Sequence, residues 1–226
     1  NLALGANRFD LAHAFELPDC RVGLGWNAGE PPPQLPPLTG WFACRDHLFE
    51  PACVGVRGDV LLVAFSAQGP GVQQWQAPAA ALRSSGLQLD VLFVADPSNS
   101  FYLQDPSGDW DGMAYFEALV RRHAARYDGC VLIVGSSMGA TAALQHARLA
   151  SRTLSFAPRV DLALSHGAFV PHAARAASLA AIANGLAELP ASVVAVHVGA
   201  HNHVDALQVA AVPSSQAVHV VEHDTF

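Results

Sequence analysis

From Asp59 onward the chain alternates between short apolar runs and longer stretches with helical spacing. The runs fall at 60–65, 89–95, 130–134, 153–157, 193–198 and 217–221, and they are rich in β-branched residues. A strand that is apolar on both sides is buried on both sides, so the pattern predicts a mostly parallel, doubly wound α/β sheet with helices on both faces. The run at 130–134 is expected at the centre of that sheet. Met113, Phe116, Leu119 and Val120 recur at helical spacing between Asp109 and Tyr127. Acids stand near the start of this stretch, and Arg121, Arg122 and Arg126 near its end, as the helix dipole favours. Residues 137–150 and 171–189 read as alanine-rich helices, and 72–84 as a further helix kinked by Pro78. No internal repeat is present.

Residues 1–58 read differently, as an irregular N-terminal extension. Short candidate strands at 20–24, 41–44 and 53–56 are broken by the cluster EPPPQLPPL, an extended connector. These strands are expected to add antiparallel pairing at the sheet edge. The remainder, 59–226, forms the main domain. With 226 residues, 51% of them hydrophobic, the whole makes one compact unit with a sizeable core.

Charge narrows the partners. Only 14% of residues are charged and the net charge is -7, so there is no basic surface to neutralise phosphates, and nucleic acid is not expected as a partner. The longest apolar runs, VLLVAF, VLFVA, CVLIVG and SVVAVHV, fall far short of the roughly 20 residues a spanning helix needs, so no transmembrane segment is expected. Cys20, Cys44, Cys53 and Cys130 show no CxxC spacing, and Cys130 reads as a small hydrophobe opening its strand. The chain begins at Asn1 without a charged-then-apolar leader, which reads as a soluble domain matured by removal of a targeting segment, or as a fragment.

The run VLIVGSSMGATAAL carries the candidate chemistry. Gly135, Ser137 and Gly139 form G-x-S-x-G between a predicted strand and a predicted helix, the setting in which this motif makes a nucleophile elbow. The turn strains the serine backbone and lifts its hydroxyl clear of the sheet, and side chains in place of the glycines would strike the adjoining strand and helix. The competing reading is a serine capping a helix in a tight turn.

On this motif and on the order of elements around it, residues 59–226 resemble the α/β-hydrolase superfamily. The resemblance implies that Ser137 is a nucleophile, with one oxyanion N–H from the loop FSAQGPG, at Gln68 or its neighbour Ala67, and another from Met138. Ser66 and Ala67 stand where relatives carry His-Gly. The acid follows the penultimate strand: Asn202 occupies the position where many relatives carry aspartate, and Asp205 is the carboxylate of that loop, so Asp205 is expected to orient the base or else to cap a helix. The base lies beyond the last strand. His223 is the histidine there, read as the base or as an exposed strand end, with a base beyond Phe226 as the other expectation.

Other constellations carry less. His201, His203 and Asp205, with His197 nearby, have spacing that suits zinc, but no second cluster completes it, and they read as lining a loop. GLGWNAG imitates a dinucleotide loop with its third glycine one position late. Asp105, Asp109 and Asp111 do not fit a calcium loop, and capping of the following helix explains two of them. No metal or cofactor is expected. About 35 residues separate the strands at 153–157 and 193–198, leaving a short or absent lid. The chain therefore reads as a serine hydrolase of acyl esters or thioesters taking a small-molecule acyl substrate. The alternative is an inactive subunit, a scaffold in a protein assembly, with the proline-rich segment as a docking arm.

Overall fold

Seven strands, β1 (His47–Glu50), β2 (Val60–Phe65), β3 (Leu89–Val94), β4 (Val131–Ser136), β5 (Arg152–Phe156), β6 (Val194–Gly199) and β7 (Val218–His223), form one sheet. Their order is β1-β3-β2-β4-β5-β6-β7, parallel throughout except for β1, which runs antiparallel to β3 at the edge. The computed structural model describes residues 47–224 apart from 53–56, 69–73, 97, 165–166, 168 and 192. The candidate strands at 20–24, 41–44 and 53–56, the proline cluster, Cys20, Cys44 and Cys53 lie outside the described residues.

The order follows from burial. β2, β3 and β4 are apolar on both sides and almost wholly buried, and they occupy the middle of the sheet. β7, with an exposed His219, Glu222 and His223, is the other edge. Among the described residues five helices cover the sheet: α1 (Gln76–Ser84), α2 (Gly112–Ala124), α3 (Met138–Gln145), α4 (His172–Ala187) and α5 (His203–Ala210). Leu61, Val63, Phe65, Val131 and Ile133 pack beneath Phe116 and Val120 of α2 and Met138, Ala142 and Ala143 of α3. Val194, Val196 and Val198 continue that face beneath Ile182 and Leu186 of α4 and Val209 of α5. On the opposite face Leu62, Ala64, Val91, Phe93 and Val134 meet Ala79 of α1 and the indole of Trp75. Helices therefore lie on both sides, four on one and one on the other among the described residues. Leu154 of β5, on the less covered side, is 42% exposed. No described helix is long and apolar enough to cross a membrane.

Three expectations are corrected. Cys130 is exposed and lies ahead of β4, because Asp128 and Gly129 make a turn with positive φ that closes through the Cys130 N–H on the Tyr127 carbonyl, so burial begins only at Val131. Pro78 falls in the first turn of α1, where its missing N–H would have no intrahelical partner, and so it kinks nothing. Asp105 closes a loop by accepting from Ser107 and the Asp109 amide, while Asp111 stands at the N-cap of α2 with no side-chain capping bond.

Candidate active site

β4 delivers the chain to the C-terminal edge of the sheet, and Ser137 turns it into α3. Ser137 has φ 53 and ψ -116, a conformation that costs a non-glycine residue about 1–3 kcal/mol and persists only where the surroundings over-determine it. Its N–H donates to the Phe156 carbonyl at 2.8 Å, and its carbonyl accepts from Ala140 and Thr141 to start α3. The glycines on either side are steric necessities. A Cβ on Gly135 would lie 2.0 Å from the Gly139 carbonyl oxygen, and one on Gly139 would lie 2.3 Å from the Phe65 carbonyl oxygen. No hydrogen bond engages the Ser137 hydroxyl among the described residues, and the residue is only partly buried.

Beside it runs the segment after β2. The Ser66 amide is spent on the Val94 carbonyl (2.9 Å) and the Ala67 amide on Oε1 of Gln74 (3.0 Å). The Gln68 amide donates to no described residue, and Gln68 is exposed. The Met138 amide opens the first turn of α3, where N–H groups have no intrahelical partner. A hydroxyl at a helix N-terminus, followed by an amide with no intrahelical partner, can attack a carbonyl and hold the negative charge that develops on its oxygen.

Solved structures of the same architecture include MPT51 (FbpC1) of Mycobacterium tuberculosis, 15% identical with a TM-score of 0.52, aligned over 80% of this chain and 84% of that one. Est1E from Butyrivibrio proteoclasticus aligns at 10% identity and TM-score 0.53 over 78% and 82% of the two chains. FphF, a fluorophosphonate-binding serine hydrolase of Staphylococcus aureus, aligns at 14% and 0.50 over 76% and 79%. No protein-family model matches the chain, and no curated protein matches it. The chain has the α/β-hydrolase fold.

Within that α/β-hydrolase fold the sequence-derived residues divide into two groups. Ser137, Met138 and the start of the Gln68 segment meet at the end of β4 and β2, locked by the contact of Gly139 with Phe65 and Ser66. Asp205 and His223 share no hydrogen bond with each other or with Ser137 among the described residues. Asp205, 4% exposed, stands in the first turn of α5, where Oδ1 accepts from Arg159 at 2.9 Å and Oδ2 from the Gly199 amide at 3.2 Å. Asn202 is the N-cap, accepting from the amides of Val204 and Asp205. Asp205 is thus on the helix that packs one face of the sheet. His223, at the end of β7, places Nε2 2.9 Å from Nδ1 of His197, whose ring stacks on Phe156 on the other face. Burial lowers the His197 pKa, and the neighbouring His223 and His219 lower it further. Strand β7 is three strands from β4, about 14 Å across the sheet, and the hydrogen bond of His223 goes to His197 rather than to Ser137. His201 pairs with Asp224 (2.7 Å), and His203 is the first residue of α5. Arg159, Gln74, Trp75 and Tyr102 also belong to this edge. No spacing rule singles them out: Arg159 and Tyr102 act through contacts distant in sequence, and Gln74 and Trp75 through a turn of the connection after β2.

Proposed function

We propose that the protein is a serine hydrolase of acyl esters or thioesters with Ser137 as nucleophile. The observation that carries this reading is the strained Ser137 backbone, held between two glycines that cannot accept a Cβ. The Ser137 oxygen adds to the acyl carbon, and the amides of Gln68 and Met138 receive the oxyanion. The alcohol or thiol departs with the proton the base took from Ser137, and water then releases the acid by the same steps. His223 as base and Asp205 as the carboxylate that orients it complete the reading. To act, His223 has to release His197 and reach across to Ser137, and Asp205 has to release Arg159 and turn to His223. FphF, which shares the fold, is a fluorophosphonate-binding serine hydrolase, and that chemistry supplies the test. A fluorophosphonate probe labels the folded full chain at Ser137 and spares Ser137→Ala; an unlabelled wild type refutes the proposal.

The Asp205–Arg159 and His223–His197 bonds favour a second reading, an inactive hydrolase-fold subunit acting as a scaffold in a protein assembly. The same labelling separates the two.

A further inference from the structure

Three side chains fix the end of β2 and the two residues that follow it. The indole Nε1 of Trp75 donates to the Phe65 carbonyl at 2.9 Å, the Tyr102 hydroxyl to the Ser66 carbonyl at 3.0 Å, and the Ala67 amide donates to Oε1 of Gln74 at 3.0 Å. The two carbonyls are the ones Gly139 abuts at the start of α3, so the brace ties this segment to the Ser137 elbow.

The loop that carries Tyr102 is itself built at a cost. Asn99, Phe101 and Tyr102 all have positive φ, which is rare for an aromatic residue. Buried Asp96 holds them by accepting from Ser98, Ser100 and the Tyr102 amide. Burial, and then the charge of Asp96, push the Tyr102 pKa well above its ordinary value, so the phenol keeps its proton and remains a donor. Its hydrogen is shared between the carbonyls of Ser66 and Val94, each at 3.0 Å. Strain of this kind points to a geometry the fold is built to hold.

We infer that Gln74, Trp75 and Tyr102 are positioning residues: Trp75 and Tyr102 hold the Phe65 and Ser66 carbonyls, and Gln74 spends the Ala67 amide and so leaves the Gln68 amide as the oxyanion donor of the β2 segment. The inference rests on the proposed serine hydrolase reading and adds to it the device that sets the hole. A donor preset in this way costs no reorganisation when charge develops, so loosening it slows the chemical step and leaves substrate affinity unchanged.

Gln74 gives the cleanest test because it is only partly buried and its acceptor oxygen can be removed or kept at similar side-chain length. Gln74→Met removes the acceptor at similar size, and Gln74→Glu keeps it. With p-nitrophenyl acetate as substrate, Gln74→Met is expected to lower kcat and the fluorophosphonate labelling rate by roughly tenfold to a hundredfold with KM unchanged. Gln74→Glu is expected to restore most of the rate, which a merely structural role would not do. Tyr102→Phe, melting well above the assay temperature, is expected to act in the same direction and serves if Gln74→Met does not fold. A wild type that reacts alongside a Gln74→Met that reacts equally fast overturns the brace while leaving the function standing. An unreactive wild type overturns both.

Discussion

Gly139→Ala tests whether the elbow and the β2 segment form one rigid unit. The new Cβ would lie 2.3 Å from the Phe65 oxygen, 2.5 Å from the Ser66 oxygen and 2.7 Å from the Phe65 carbonyl carbon, all of them backbone atoms. Relief requires α3 and the end of β2 to part by about 1 Å, which as overpacking costs about 1–3 kcal/mol. Those same oxygens accept from Trp75 and Tyr102, and the shift strains both hydrogen bonds, worth about 1 kcal/mol each. A loss of about 3–5 kcal/mol is expected, read as a fall in Tm of about 6–20 °C for a chain of this size. Displacement of the donors is also expected to slow fluorophosphonate labelling about a hundredfold in the fraction that stays folded. Gly185→Ala is the control, since nothing lies within 4 Å of its added Cβ and α4 continues on both sides. It should gain about 0.5–1 kcal/mol. If Gly139→Ala melts with the wild type and labels at the same rate, the contact between α3 and the β2 carbonyls is not holding the site.

The remaining predictions concern protons and the ion pair. Burial lowers the His146 pKa from 6.5 to about 4, with Glu117 opposing and Arg148 and Arg121 reinforcing the shift, so between those values the unfolded chain binds the extra proton and stability falls as pH drops. The total is at most about 3 kcal/mol, and His146→Phe, which keeps a ring against Phe65, should flatten the slope of Tm against pH over that window; an unchanged slope refutes the assignment. Asp205→Asn leaves the Arg159 guanidinium, one-fifth exposed, without its carboxylate and should cost about 1–3 kcal/mol, read in denaturant unfolding. In the hydrolase reading it also lowers kcat by about 10⁴, whereas unchanged Ser137 labelling removes Asp205 from the reaction.

The middle of the sheet was legible because burial on both faces leaves an unambiguous mark. VLLVAF, the run at 89–95 and VLIV contain almost no polar residue, and they became β2, β3 and β4, within a residue or two of the expected bounds. The edge was less so. HLFE, which is β1, is four half-buried residues with a histidine and a glutamate at its ends, and its pairing with β3 rests on register rather than on pattern. The end of α3 was also hidden: QHARLA continues the helical composition, but His146 is its C-cap, and only a single 3₁₀ turn, Ala147–Leu149, follows before β5.

The legible half of the candidate site is the half made by local chemistry. Gly135, Ser137 and Gly139 act within five residues, and the steric demand that makes them glycines is set by the strand and helix they join. Asp205 and His223 were chosen by their place in chain order, which says which strand end a side chain leaves from but not which face of the sheet it takes. Asn202 caps α5, and that turns Asp205 into the helix's first turn, where Arg159 meets it from the loop after β5. β7 ends with His223 against His197, whose partner across β5 is Phe156 and whose ring stacks on it. The acid is therefore fixed from the α5 side and the histidine pair from the side of Phe156, with the strand ends between them. A sheet edge can offer the same residue types to a reaction or to its own packing. The faces to which its capping residues turn them decide between the two.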